Sequence, residues 1–135
     1  MDRVAERLDV AVAALATLRR VLELGPGDDI RRDAAIQRFE HTFEASWKAA
    51  KDYLWRAEGL EAASPKGVWR ACWQVGLLDE AQARLALAMT DDRNLTSHTY
   101  NEALAEAIHG RLGAYVTLLG ALLGRLREHP RSEAS

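Results

Sequence analysis

Arg93, Asn94, His98 and Tyr100 stand close together in the run Asp91-Asp92-Arg93-Asn94-Leu95-Thr96-Ser97-His98-Thr99-Tyr100-Asn101-Glu102. Arg93 supplies a permanent cation whose planar fork of donors suits phosphate. His98 can give or take a proton near neutral pH. Tyr100 carries a hydroxyl that could be modified or could hold a phosphate, and Asn94 could orient a partner or the phosphate. The chemistry this set suits is cleavage of a phosphodiester. His98 would abstract the proton of an RNA 2′-hydroxyl or protonate the leaving oxygen, and Arg93 would stabilise charge developing on the phosphoryl oxygens. No metal is required and no other cofactor is implied.

Spacing sets a condition on this reading. Residues five apart on a continuous helix lie about 140° apart around its axis. Arg93 and His98 would therefore share a cleft only if the helix kinks or ends after Asn94. Thr96-Ser97, followed by Thr99 as a possible cap, suggests such an end. The plainer alternative stays open at this point: Arg93 could pair with Asp91 or Asp92, and His98 could bond a helix end.

The elements that must hold these residues read as helices. Val4, Leu8, Val12, Leu15, Leu18 and Leu22 recur at steps of three and four, the stripe of an amphipathic helix. Gly25-Pro26-Gly27 breaks the chain, and Asp28 or Asp29 can cap a second helix. That helix is expected from about Ile30 to Arg56, roughly 40 Å at 1.5 Å per residue, with Ile36, Phe39, Phe43, Trp47, Ala50 and Leu54 on one face. A loop follows around Gly59 to Ala63. Ser64-Pro65 then opens a short third helix, serine as cap and proline in the first turn, carrying Val68, Cys72 and Val75 and stopped by Gly76. Asp79 can cap a fourth helix bearing Ala81, Leu85 and Met89. Thr99 with Glu102 reads as a capping box for a last helix striped by Leu104, Ile108, Leu112, Tyr115, Leu119, Leu122 and Leu126. The last helix also holds Gly110, Gly113, Gly120 and Gly124, some of which close helix contact would justify.

The expected fold is all-α, an up-and-down bundle of about five helices. It is read as a single domain over residues 1–130, ended by Pro130, with a flexible tail over 131–135. A chain of 135 residues buries roughly 68% of its unfolded surface, enough for a core without metals or disulfides. The single cysteine, Cys72, rules out an intramolecular disulfide and fits a reducing compartment. The N-terminus leads into an amphipathic segment, unlike a signal peptide, and the apolar runs fall short of the ~20 residues that span a bilayer. The expectation is a cytoplasmic protein with no membrane partner. A net charge of −2 gives no global footprint for coating nucleic acid, though it allows a local grip on one or two phosphates. Arg19-Arg20, Arg31-Arg32 and Arg125 with Arg127 read as solvated helix faces.

Other candidates carry less. His41, His98, His109 and His129 show no metal-ligand spacing. His41 lies beside the core stripe of the second helix and is expected to be structural or at a dimer cleft. Trp47, Trp55, Trp69 and Trp73 read as core or interface. Glu40, Glu44 and Asp52 lack the Glu-x-x-His partners of a carboxylate metal site. Cys72 reads as a small buried hydrophobe.

Three blocks carry a resemblance to a known family. They are Arg38-Phe39-Glu40-His41-Thr42-Phe43-Glu44-Ala45-Ser46-Trp47-Lys48 with Lys51-Asp52-Tyr53-Leu54; Ser64-Pro65-Lys66-Gly67-Val68-Trp69-Arg70 running to Gly76-Leu77-Leu78-Asp79; and Asp92 to Glu102. With them the chain resembles the HEPN-domain family of the HepT type, also described as nucleotidyltransferase substrate-binding proteins. The third block matches that family's Arg-x4-His-x-Tyr pattern. Gly67 and Trp69 depart from the more strongly helix-forming residues usual there. The resemblance implies a homodimer in which the Arg-x4-His segments of both chains line one cleft. It implies a metal-independent endoribonuclease acting on RNA as a toxin, with Arg93 and His98 catalytic and Asn94 supporting them. It also implies a small nucleotidyltransferase as antitoxin, transferring AMP to Tyr100. An anionic nucleotide there would occupy the RNA cleft and repel the backbone. A second implication is a non-catalytic subunit that presents a substrate to the nucleotidyltransferase. A purely structural helical dimer is the third reading.

Overall fold

The computed structural model describes residues 3–25, 27–98 and 101–128, with the side chain of His98 left aside. It is an all-α bundle of five helices: α1 (Arg3–Glu23), α2 (Asp29–Glu58), α3 (Pro65–Gln74), α4 (Glu80–His98) and α5 (Glu102–Glu128). The fold expectation is met in class and in helix number.

Local chemistry fixes most boundaries. Asp28 adopts an extended backbone and its side chain accepts from the Arg31 amide, starting α2. Gly59, at φ 67°, ends α2 in the left-handed region where a side chain is strained. Ser64 accepts from the Gly67 amide with Pro65 in the first turn of α3. Gly76, at φ 85°, follows the end of α3. Asp79 and Gln82 cap α4 reciprocally, each accepting from the other's amide at 2.8 and 3.0 Å.

Two boundaries correct the sequence reading. The cap of α5 is Asn101, whose side-chain oxygen accepts from the Leu104 amide at 2.8 Å. Thr99, the expected cap, lies outside the described residues, as do Pro130 and the 131–135 tail. α4 also continues without interruption through Asn94 to His98, where a helix end or kink was expected.

The core is built chiefly by α1, α2 and α5, whose stripes meet between them. Phe39 stacks on Tyr115 with ring centroids 5.6 Å apart, and Phe43 meets Trp69 edge-on at 6.0 Å. In α1 the buried position is Ala11, while Val12 faces outward. In α4 the inward side is Ala83, Ala86, Met89, Thr90 and Asp92, so Ala81 is not part of it. Trp69 is fully buried and donates to Thr90 at 2.8 Å. Trp55 and Trp73 are 59% and 49% exposed, which takes both out of the core. Arg32 is buried and held by Asp33, Glu102 and Glu106, so it is no solvated face. In α5 a Cβ on Gly120 would collide with the Arg19 guanidinium, whereas Gly110, Gly113 and Gly124 have open space. By length and composition α5 could cross a membrane. Its apolar stripe, from Ala105 to Leu126, is instead packed into the core.

Candidate functional site

Arg93 lies on the outer side of α4, facing a groove walled by α1 and α2. The groove has a volume of about 660 Å³ and is lined by Arg7, Gln37, Glu40, His41, Lys48 and Arg93 among others. The uninterrupted helix holds Arg93 there through its own next turn. Arg93 Nη1 donates to the Ser97 hydroxyl at 2.6 Å. The Thr96 hydroxyl lies 2.7 Å from the Arg93 carbonyl and makes a short bond to Glu40 on α2. Glu40 in turn stands 4.0 Å from Arg93 Nη1, a loose ion pair. Arg93 Nε is enclosed and has no hydrogen-bond partner. Because that nitrogen is shut off from solvent, the side chain, 25% exposed, can meet an anion only through the tip of its guanidinium.

The neighbouring residue fixes the rotation of α4. Asp92 is buried at 5% exposure. Arg111 of α5 donates to it twice, from Nε at 2.7 Å and from Nη2 at 2.8 Å, and the Tyr115 hydroxyl donates to it as well. Burial alone would raise the Asp92 carboxyl, but the Arg111 and Tyr115 hydrogen bonds and the Arg111 charge hold it below the usual carboxylate range. Burial and the adjacent Asp92 charge push the Tyr115 hydroxyl well up. Asp91 pairs with Lys66 at 2.7 Å. The alternative in which Arg93 is neutralised by Asp91 or Asp92 is therefore not what the chain does.

The other sequence candidates separate. Asn94 is exposed. His98 is the final residue of α4, and positions 93 and 98 lie about 140° apart around the axis of a continuous helix. Tyr100 lies outside the described residues. No group of histidine, cysteine and carboxylate residues suited to a metal occurs among the described residues. His41 is exposed and lines the Arg93 groove, which sets aside a purely structural place beside the core. Arg7, Glu40 and Lys48 were not singled out for this site. For Glu40 and Lys48 the sequence signal is the polar edge of α2, where Glu40, Glu44 and Lys48 recur at steps of four; Arg7, on α1, has none. Cys72 is buried, and burial pushes its thiol up to about 12.

The family model described as "Nucleotidyltransferase substrate binding protein like" matches residues 6–128. The chain belongs to that family. A Haemophilus influenzae protein named "Probable ribonuclease HepT" is 31% identical over 98 residues, covering 70% of this chain and 66% of the relative. The chain thus spans slightly less than two thirds of that relative's length. A Thermus thermophilus protein of known crystal structure is 58% identical, with a TM-score of 0.84 over 87% of this chain and 99% of its own. A second solved structure, from Haemophilus influenzae, is described as revealing the fold of a substrate-binding domain of a nucleotidyltransferase. It is 26% identical, with a TM-score of 0.74 over 90% of this chain and 99% of its own.

Proposed function

We propose that this protein is a HepT-like endoribonuclease, the toxin of a toxin–antitoxin pair, working without a metal ion. The observation that carries the reading is the Arg93 guanidinium, held at a polar groove by Ser97 and only loosely paired with Glu40. A cation kept in place by its own helix and only loosely paired is suited to a phosphodiester. The ribonuclease name of a relative supports the same direction.

His98 takes the proton of an RNA 2′-hydroxyl, and the 2′-oxygen attacks the neighbouring phosphorus. The bond to the 5′-oxygen breaks, leaving a 2′,3′-cyclic phosphate and a 5′-hydroxyl once that oxygen is protonated. Arg93 holds the phosphoryl oxygens as charge grows on them, and Asn94 supports the arrangement. Positions 93 and 98 lie about 140° apart around a continuous helix, and a homodimer with both α4 helices along one cleft completes the set. A small nucleotidyltransferase acts as antitoxin by transferring AMP to Tyr100, which places bulk and negative charge beside the catalytic residues.

A second reading is favoured by the family description and by the substrate-binding domain to which the fold is similar. In it the protein is the non-catalytic substrate-binding subunit of a two-component nucleotidyltransferase. The deciding experiment is RNA cleavage by the purified protein in chelator, comparing wild type with His98→Ala. Loss of the general acid–base group should lower the rate by about 10²- to 10⁴-fold. A folded wild type with unmodified Tyr100 that leaves RNA intact would move the assignment to the substrate-binding subunit.

A further inference from the structure

The Arg93 groove has a second wall of hydrogen-bond donors, on α2. His41 and Lys48 stand two turns apart on that helix, roughly 10 Å along its axis, and both line the groove that Arg93 faces. His41 also lines an adjoining hollow of about 480 Å³, which continues past Gln37 and Arg38 toward Thr17. The joined trough follows α2 from residue 37 to residue 48, roughly 16 Å at 1.5 Å per residue. A stacked strand rises ~3.4 Å per nucleotide, so the trough is long enough for several.

The charges in the trough differ in how far they are already satisfied. Arg7 is held by Asp52 at 2.6 Å. Glu44 accepts from the Trp47 indole at 3.1 Å and leaves Lys48 at 3.8 Å. Glu40 is taken by the Thr96 hydroxyl and only loosely by Arg93. His41 is exposed, with no hydrogen bond or ion pair described for it. Lys48 is exposed too, and a single long contact costs little to exchange. The exposed side chains of the trough able to receive an anion are therefore Arg38, His41 and Lys48.

We infer that His41 and Lys48 form a phosphate-binding subsite that seats single-stranded RNA along α2, with one phosphodiester delivered to Arg93. The inference rests on the ribonuclease reading of the Arg93 site and adds the track that presents the strand. It also gives a chain of net charge −2 a local grip on RNA: the Lys48 and Arg93 charges and the His41 donor stand together where global charge offers none. The subsite binds backbone, so it should be indifferent to base sequence.

The test uses a fluorescent 2′-O-methyl RNA oligonucleotide, which keeps the phosphates and lacks the attacking hydroxyl, so binding is read apart from cleavage. Wild type, His41→Ala, Lys48→Ala, His41→Lys and the control Arg84→Ala are compared by anisotropy across a salt series, with cleavage of ordinary RNA measured in parallel. Each alanine variant should raise Kd by roughly tenfold, and Lys48→Ala should also reduce the slope of log K against log salt by about 0.7, the contribution of one phosphate on a single strand. In cleavage the same variants should raise KM and leave kcat near wild type. His41→Lys should bind at least as well as wild type, and Arg84→Ala should match it. If wild type cleaves RNA while both alanine variants bind and cleave like it, the subsite is wrong and the ribonuclease reading stands. If wild type binds the oligonucleotide with the expected losses in the variants yet cleaves nothing, the subsite stands and the nuclease reading falls. If no variant or wild type binds, or if the variants change only the oligomeric state by light scattering, the trough is not an RNA track.

Discussion

Replacing Asp92 should unlock α4 from α5 and with it the placement of Arg93. Breaking one side of a fully buried ion pair costs about 3–5 kcal/mol, but Arg111 is 47% exposed on its side chain and can regain water. What remains is the loss of two charge-assisted hydrogen bonds and a Tyr115 hydroxyl left without its acceptor in the core. An unsatisfied buried group of that kind costs about 1–3 kcal/mol. Asp92→Ala should therefore lose about 3 kcal/mol, and Asp92→Asn, which keeps one acceptor oxygen, about 2 kcal/mol. For a domain of this size a loss of about 3 kcal/mol corresponds to a fall in Tm of roughly 10 °C. The pH dependence has a definite sign. The Asp92 carboxyl titrates lower in the folded chain than in the unfolded one, so its stabilisation is present above ~pH 4 and is lost as pH falls through the folded value. Tyr115 is raised in the folded state, so its contribution is present below ~pH 10 and is lost as pH rises above that. Urea unfolding of wild type and both variants from acid to alkaline pH measures all of this. A loss below about 1 kcal/mol at neutral pH for Asp92→Ala, with its acid limb unchanged from wild type, would refute the reasoning.

Cys72 should resist iodoacetamide at pH 8 in the native protein and react once the chain is unfolded, because burial raises its thiol to about 12; equal rates in both states would count against this. Trp69→Phe removes the indole donor to Thr90 and should cost about 1–2 kcal/mol in urea unfolding, with Thr90 still able to donate to the Ala86 carbonyl at 2.9 Å. Asn101→Ala deletes the α5 cap and should cost about 1 kcal/mol, whereas Thr99→Ala should leave Tm near wild type if Asn101 carries the cap.

What the sequence made legible was chemistry that a segment performs on itself. Ser64-Pro65 and Asp79 cap helices with their own nearby amides, so the pattern and the geometry coincide. The long stripes of α2 and α5 are made of large side chains whose spacing leaves no second face. α4 was harder because its buried side is mostly alanine, threonine and aspartate, which contrast weakly with its outer face. Thr99 and Asn101 are both competent caps, and spacing to Glu102 favoured the wrong one. The expected break after Asn94 failed for a tertiary reason: Thr96 folds back on its own helix and is held by Glu40 from α2, so polar residues that often end a helix are accommodated inside one. The groove itself was illegible, because the meeting of Arg7, His41 and Lys48 with Arg93 depends on how three helices pack.

The length of α2 has a kinetic consequence. It runs 30 residues, roughly 45 Å, and residues 37 to 48 lie in its middle, far from ends that fray. Amides deep in such a helix, packed on α1, α3 and α5, are expected to exchange with solvent only when the whole chain opens. The α2 side of the trough is then rigid before any ligand arrives, and association need not include the entropy of ordering that wall. Hydrogen exchange across residues 37 to 48 should thus already be at the limit set by global opening in the free protein, and ligand should slow it only by the factor by which binding stabilises the whole fold.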